Sequence, residues 1–429
     1  MRRLILIALV TLACIIGWSG ITLAAASEGW WRKPLTSSES PEAFLKAAET
    51  VIEDENTGNV AMILIEQGDI AGSHYASKGQ RIDGDSLFQV ASLSKWLSAL
   101  GVMRLVENGR ISLDAPVSTY LTRWSLPPSP YDNEGVTVRR LLSHTAGLGD
   151  GLGYNGFATK EAMQTLEASL TRAADASPGA EGSVRLVQAP GAKWTYSGGG
   201  YTLLQLLVEE VSGQSFSTFM DENIFDPLGM QRTTYDLDEA REMGLAENYR
   251  PDGETEPLRY YTALAAASAF TSANDLAALM KAHLPSAAGQ ENGVLTQETL
   301  NQMRRPHASQ LGADIWGLGV MLYAPNNSGG FIVGHDGNNE PAINTAVRLD
   351  PETGDAIIIL ETGNNLLATR LAGEWVFWKT GNVDNLMFVS ELETTIRTVI
   401  IGAILLLIAG ILYAVRAWRL FGLVRTRIQ

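Results

Sequence analysis

FQVASLSKWLSALGVMRLVENGRISLDAPVSTYL, from Phe88 to Leu121, is the stretch on which the reading of this chain turns. Within it Leu93, Trp96, Leu97, Leu100, Met103 and Val106 recur at three- and four-residue steps, the spacing of one apolar face of an α-helix. Asn108-Gly109 supplies the C-terminal stop. Ser92 therefore stands at a helix start, and Lys95, three residues on, shares its helical face about one turn away. Phe88-Gln89-Val90-Ala91 ahead of the serine places the pair at a buried strand-to-helix junction.

Working outward, Asn59 to Glu66 (NVAMILIE), then Gln67-Gly68-Asp69 and a second extended run, reads as a strand, a tight turn and a strand. Between about Ile111 and Arg259 short helical stretches, among them Leu203 to Val211 and Phe216 to Ile224, alternate with Pro- and Gly-containing loops. A helical stretch near Asp275 to His283 gives way to apolar runs at Trp316 to Leu322, Phe331 to Gly334, Ile343 to Leu349 and Ala356 to Leu360. Turns are expected at Asn326-Asn327 and at Pro351 to Asp355. An early hairpin, a helical middle and late strands predict a sheet drawn from both ends of one domain with a helical insertion, α/β (α+β) in class. No internal repeat or low-complexity tract divides it.

A serine hydroxyl is a poor nucleophile until a base takes its proton. A lysine serves when desolvation and nearby positive charge keep its amine neutral for part of the time. The Ser92 backbone N–H at the helix start is placed to stabilise an oxyanion. The five histidines, His74, His144, His283, His307 and His335, show no metal-ligand spacing, and no Gly-x-Ser-x-Gly elbow or phosphate-binding loop is present. Neither a metal nor a cofactor is expected. The single cysteine, Cys14, lies in the first apolar segment, so the folded part holds no disulfide and no cysteine nucleophile.

Phe88 to Leu121 resembles the nucleophile helix of the β-lactamase-related serine hydrolases: class C β-lactamases, D-alanyl-D-alanine carboxypeptidases, related esterases and D-aminopeptidases. Further matches follow in order: VTVRRLLSHTAGL (Val136 to Leu148), PGAKWTYSGGGYTLL (Pro190 to Leu204), IFDPLGMQRTTY (Ile224 to Tyr235), ASAFTSANDLAALM (Ala267 to Met280), WGLGV (Trp316 to Val320) and GHDGNNEPA (Gly334 to Ala342). The resemblance covers about Pro41 to Gly381. It implies an antiparallel sheet flanked by helices, with Ser92 as nucleophile and Lys95 and Tyr196 as its proton handlers. The family's Tyr-x-Asn is here Tyr196-Ser197-Gly198, so Gly198 stands where an asparagine would contact substrate amides, which counts against β-lactam hydrolysis. His335-Asp336-Gly337 resembles the His-x-Gly of the esterase and peptidase branches. The resemblance implies that His335 donates to a substrate carboxylate or orients Tyr196. It also implies that Gly337 lets substrate approach the strand, and that the N–H of Asn338 is a second oxyanion donor. His144 carries no catalytic role by the same resemblance and is read as a packing or loop-pinning residue. The expected activity is hydrolysis of an ester or amide through an acyl-serine, with D-amino-acid peptides among the substrates. A β-lactamase, or a non-catalytic penicillin-binding sensor with Gly198 as its first sign of decay, is the alternative.

Met1-Arg2-Arg3, an apolar run to Leu23 and Ala24-Ala25-Ala26 before Ser27 have the layout of a secretory signal cut after residue 26, with an uncleaved anchor as the competing reading. Lipidation at Cys14 lacks the expected aliphatic residue three positions earlier. TVIIGAILLLIAGILYAV, Thr398 to Val415, is free of charge and as a helix spans roughly 27 Å, enough to cross a bilayer. Arg416, Arg419, Arg425 and Arg427 follow it and mark the cytoplasmic side. The expected organisation is a signal or anchor at 1–26, an extracytoplasmic hydrolase domain at 27–395, a transmembrane helix at 396–416 and a basic cytoplasmic tail at 417–429. Seven of the 32 basic residues and none of the 47 acids lie in the terminal segments, leaving 25 basic against 47 acidic residues from Ser27 to Thr395. An ectodomain of net charge −22 repels nucleic acid. The expected partners are a small-molecule or peptide substrate and a membrane.

Overall fold

The computed structural model describes residues 2–149, 155–285, 294–340 and 342–425. Met1, Pro341 and Arg427, read above as parts of motifs or of the basic ends, lie outside the described residues. The chain divides into two compact units, Leu35–Thr380 and the two ends taken together, Met1–Pro34 with Gly381–Gln429.

The larger unit is built on an antiparallel sheet. Its strands are β1 (Asn59–Glu66), β2 (Asp69–Ser77), β5 (Ala308–Gln310), β6 (Ala313–Trp316), β7 (Met321–Pro325), β8 (Phe331–Asn339), β9 (Ile343–Leu349) and β10 (Ala356–Thr362), with β3 (Phe88–Gln89) and β4 (Phe270–Thr271) forming a separate pair. The order β2-β1-β10-β9-β8-β7-β6-β5 puts the first hairpin beside the last strand, as expected for a sheet drawn from both ends of the domain. Gln67 and Gly68 close that hairpin with φ of 52° and 85°, the left-handed pair of a tight two-residue turn.

Alternation along the strands sorts their side chains between two layers. Ala61, Ile63 and Ile65 of β1 and Ile358 and Leu360 of β10 join the same buried cluster as Leu93, Trp96 and Leu97. Helices Pro41–Glu55 and Leu367–Thr380 cover the opposite face, where Phe44 and Trp378 stack at 4.9 Å. Buried on both sides, β1 reads as a continuous apolar run. The insertion between β3 and β4 carries the expected helices, Gly198–Ser212 and Phe216–Met220, the latter continued by a π turn, Asp221–Phe225.

Two expectations are corrected here. The apolar run Trp316 to Leu322 is not one strand: β6 ends at Trp316 and β7 begins at Met321. Between them Gly319 turns at φ 81°, and the Gly317 position is too close to the Met303 carbonyl for any side chain. The α-helix after the nucleophile begins at Ser94, two residues later than its apolar period suggests, and Ser92 sits in the preceding 3-10 turn, Ala91–Leu93.

In the smaller unit, Arg2–Ser27 forms one helix that passes through Ala24-Ala25-Ala26 without a break. Leu392–Arg425 forms another, longer than the apolar stretch at its centre. Arg2–Ser27 and Leu392–Arg419 are each long and apolar enough to cross a membrane.

Candidate active site

The turn bearing Ser92 is held from two directions. On one side the Thr345 hydroxyl of β9 donates to the Val90 carbonyl at 3.1 Å, and any side chain at Gly337, paired with Thr345 across β8 and β9, would collide with that carbonyl. On the other side the Val90 N–H donates to Ala269 O at 3.0 Å, and Ser94 Oγ accepts from the Ala269 N–H at 2.9 Å while donating to Ala91 O at 2.6 Å. Between these clamps Ala91 takes φ 44°, a left-handed conformation that a non-glycine residue holds only when its surroundings impose it. The strain tightens the backbone into the 3-10 turn and leaves Ser92 half-buried at its apex.

Lys95 is fully buried, 0% exposed. Its Nζ donates to Ser92 Oγ at 3.2 Å and to the Ala266 carbonyl at 2.7 Å, and lies 4.8 Å from the centroid of the Tyr196 ring. Three residues that are 104 positions apart at their extremes thus meet at one partly open place.

Tyr196 is set by the residues around it. Ser197 caps the following helix by accepting from the Gly200 N–H at 3.0 Å, and its own N–H donates to Nδ1 of His144 at 3.1 Å. The Thr195 N–H donates to the His144 carbonyl at 2.8 Å, and the His144 and Tyr196 rings stack with centroids 4.4 Å apart. His144 thus holds the backbone on both sides of Tyr196 and supports its ring. Burial first, then the nearness of Lys95 and His335, drives its pKa well below the ordinary histidine value. Since Nδ1 is an acceptor, the neutral ring carries its proton on Nε2. Trp316 packs edge-on to Tyr196, His144 and His335.

His335 and Gly337 face the nucleophile turn, whereas Asp336 and Asn338 point to the other side of the sheet. Asp336 accepts from Tyr323 OH and Thr369 Oγ1, both at 2.6 Å, and pairs with the fully buried Arg348. The Asn338 side chain donates to Asn365 O at 2.7 Å. His335 is 1% exposed, and its Nδ1 lies 2.6 Å from the Asp336 carbonyl. A carbonyl only accepts, so Nδ1 carries the proton and Nε2 is bare. Burial first, then Lys95, pushes the His335 pKa down to about 3. A neutral ring whose donor is spent on its own strand has no N–H left for a substrate carboxylate; its ring packs on Trp316, which also packs on Tyr196. The room beside Gly337 is likewise taken by Val90 and Thr345, so the glycine serves the packing of sheet against turn. Gly198 is buried at the first position of helix Gly198–Ser212, where its carbonyl accepts from Thr202 Oγ1 at 3.2 Å.

Several participants gave no sequence signal. The Ala266 carbonyl and Thr345 reach the site only through tertiary pairing. Gln89 is buried, its side-chain amide is without a hydrogen-bond partner, and it lines a cavity of about 350 Å³ with Tyr261 and Asn339. Asn339 shares the β8 face of His335 and Gly337 by alternation. Among the described residues no cluster of His, Cys, Asp and Glu could hold a metal ion.

Residues 45–375 match the Beta-lactamase family. The chain belongs to that family. A penicillin-binding protein of Bacillus subtilis (strain 168) is 36% identical over 183 residues, 41% of this chain and 37% of that protein. Esterase EstB of Burkholderia gladioli is 31% identical over 191 residues, 42% of this chain and 46% of the esterase. The matched parts span less than half the length of these relatives. The structure of the octameric penicillin-binding protein homologue from Pyrococcus abyssi superposes with a TM-score of 0.65 at 24% identity, over 79% of this chain and 78% of that one, a likeness of fold.

Proposed function

We propose that this family member is a serine hydrolase that cleaves an ester or amide through an acyl-serine, outside the cytoplasm, with a D-amino-acid peptide among its candidate substrates. The observation that carries the reading is the buried Lys95 amine 3.2 Å from a half-buried serine hydroxyl, with the Tyr196 ring beside it.

In this reading Ser92 Oγ attacks the carbonyl carbon while its proton passes to Nζ of Lys95 in the neutral form. Tyr196 relays that proton to the departing alcohol or amine, and the carbonyl-to-leaving-group bond breaks. The backbone N–H groups of Ser92 and Asn338 hold the oxyanion. Water then attacks the acyl-serine, gives its proton back through the same two side chains, and releases the acid. His144 and His335 stay neutral; His144 positions Tyr196, and His335 packs on the Trp316 ring that borders it. The C-terminal apolar helix tethers the domain to a membrane, with the arginines after it on the cytoplasmic side.

The test is labelling of the full chain in detergent with a fluorophosphonate and with a labelled penicillin, next to Ser92→Ala and Lys95→Met. Labelling by the fluorophosphonate, its loss in Ser92→Ala, and a fall in small-ester turnover of about 10²- to 10⁴-fold in Lys95→Met are expected. Labelling that persists in Ser92→Ala removes the nucleophile. Gly198 favours one second reading, because a site without the family's amide can lose turnover while keeping acylation; a stable penicillin adduct without ester turnover would select that sensor.

A further inference from the structure

We infer that the N-terminal helix is retained in the mature protein as a second membrane span, packed antiparallel against the C-terminal one. The inference rests on reading Leu392–Arg425 as a span and replaces the signal-peptide reading of residues 1–26. Contacts within the small unit keep one register along both helices. A side chain at Gly410 would collide with Thr11, and one at Gly402 with the indole of Trp18. Thr22 and Ala25 share a cleft with Thr394, Thr395 and Thr398, and Arg32 pairs with Glu391. One helix number falls as the other rises over this whole length, which defines an antiparallel pair. Gly402 and Gly410 let the backbones approach at those two contacts as small residues do between membrane helices.

Two further observations point the same way. Antiparallel packing brings Arg2 and Arg3 to the same end of the pair as Arg416 and Arg419, so both helices satisfy the positive-inside rule in one orientation. At the other end Trp30 and Trp31 are exposed, and Trp418 is exposed at the basic end, where aromatic side chains settle at the membrane–water boundaries. The would-be cut site, by contrast, is helical and packed in the folded chain. The helix runs through it to Ser27, the Glu28 N–H donates to Ala24 O at 2.9 Å and the Trp30 N–H to Ala25 O at 3.0 Å, and Ala25 is 1% exposed. A peptidase needs that backbone extended and accessible.

The experiment is an intact-mass measurement on the wild-type full chain, purified from membranes by a C-terminal tag. The inference expects a mass that includes residues 2–26; a chain beginning at or near Ser27 overturns it. Cross-linking tests the pairing: in a Cys14→Ser background, Thr11→Cys with Gly410→Cys is expected to form an intramolecular disulfide, and Thr11→Cys with Leu412→Cys, on an exposed face, is not. An uncut chain that cross-links equally in both pairs, or in neither, also overturns it. Alkaline carbonate washing separates the two readings: release of the full chain defeats the membrane reading itself, whereas a membrane-held chain lacking its first residues defeats only this inference.

Discussion

His144 shows how a single side chain can hold the backbone on both sides of another, here Tyr196. Its Nδ1 fixes Ser197, its carbonyl fixes Thr195, and its backbone sits at φ 57°. Alanine there leaves the buried Ser197 N–H unanswered and keeps the unfavourable φ, whereas asparagine offers an acceptor and tolerates the left-handed conformation. His144→Ala is expected to lose about 1 to 3 kcal/mol in denaturant unfolding, and His144→Asn about 1 kcal/mol less. Gly337 is the stricter position. A methyl at 337 must push the Val90 carbonyl and with it the Ser92 turn, so Gly337→Ala should cost about 1 to 3 kcal/mol and lower turnover together; unchanged stability in a melt would disprove the clamp. At this scale spacing pointed to Ser92 and Lys95 because they lie one helical turn apart, whereas Tyr196, far along the chain, was reached only through the family resemblance. Neither could give the His335 tautomer, which is set by a carbonyl of its own strand.

The elements were legible wherever periodicity ran long enough to be read. Helix Ser94–Glu107, the first hairpin and the strands β8 to β10 carry their pattern in contiguous residues. The two-residue pair β3 and β4 does not: Gln89 meets Phe270 across 181 positions, and two residues have no period. The late start of the nucleophile helix has a similar origin, because Ala91 is bent by partners from β9 and from Ala269. The π turn Asp221–Phe225 makes a testable statement about charge. Burial, then Glu239, Asp226 and Glu222, pushes the Asp221 carboxyl up to about 6, against 3.8 for an ordinary aspartate. Between those values the folded chain holds a proton that the unfolded chain has released, so stability falls as pH rises through this window. Asp221→Asn is therefore expected to melt higher than the parent at about pH 8, by about 1 kcal/mol for a half-buried group, and equally at about pH 3.

For the whole molecule three buried histidines make stability depend on pH on the acid side. His144, His283 and His335 are buried, and burial is the first cause of each depressed pKa, with His283 and His335 both pushed down to about 3. Unfolded histidines protonate near 6.5, so below that pH the unfolded chain binds protons that the folded chain refuses. Their stabilisation is complete above pH 6.5 and is lost as pH falls toward 3, with a slope of up to about 4 kcal/mol per pH unit. Urea midpoints of the full chain in detergent, measured from about pH 7 to about pH 5, check this; a flat profile would contradict it. The pairing of β1 with β10 bears on how the chain is made. Asn59 lies opposite Thr362, so β1, paired at once with β2 on one edge, waits for some three hundred residues before the strand on its other edge exists. Loop closure of that length is slow, and until it happens the long apolar β1 is a hazard for aggregation. Nascent chains arrested before residue 356, where β10 begins, are therefore expected to remain open to proteases throughout.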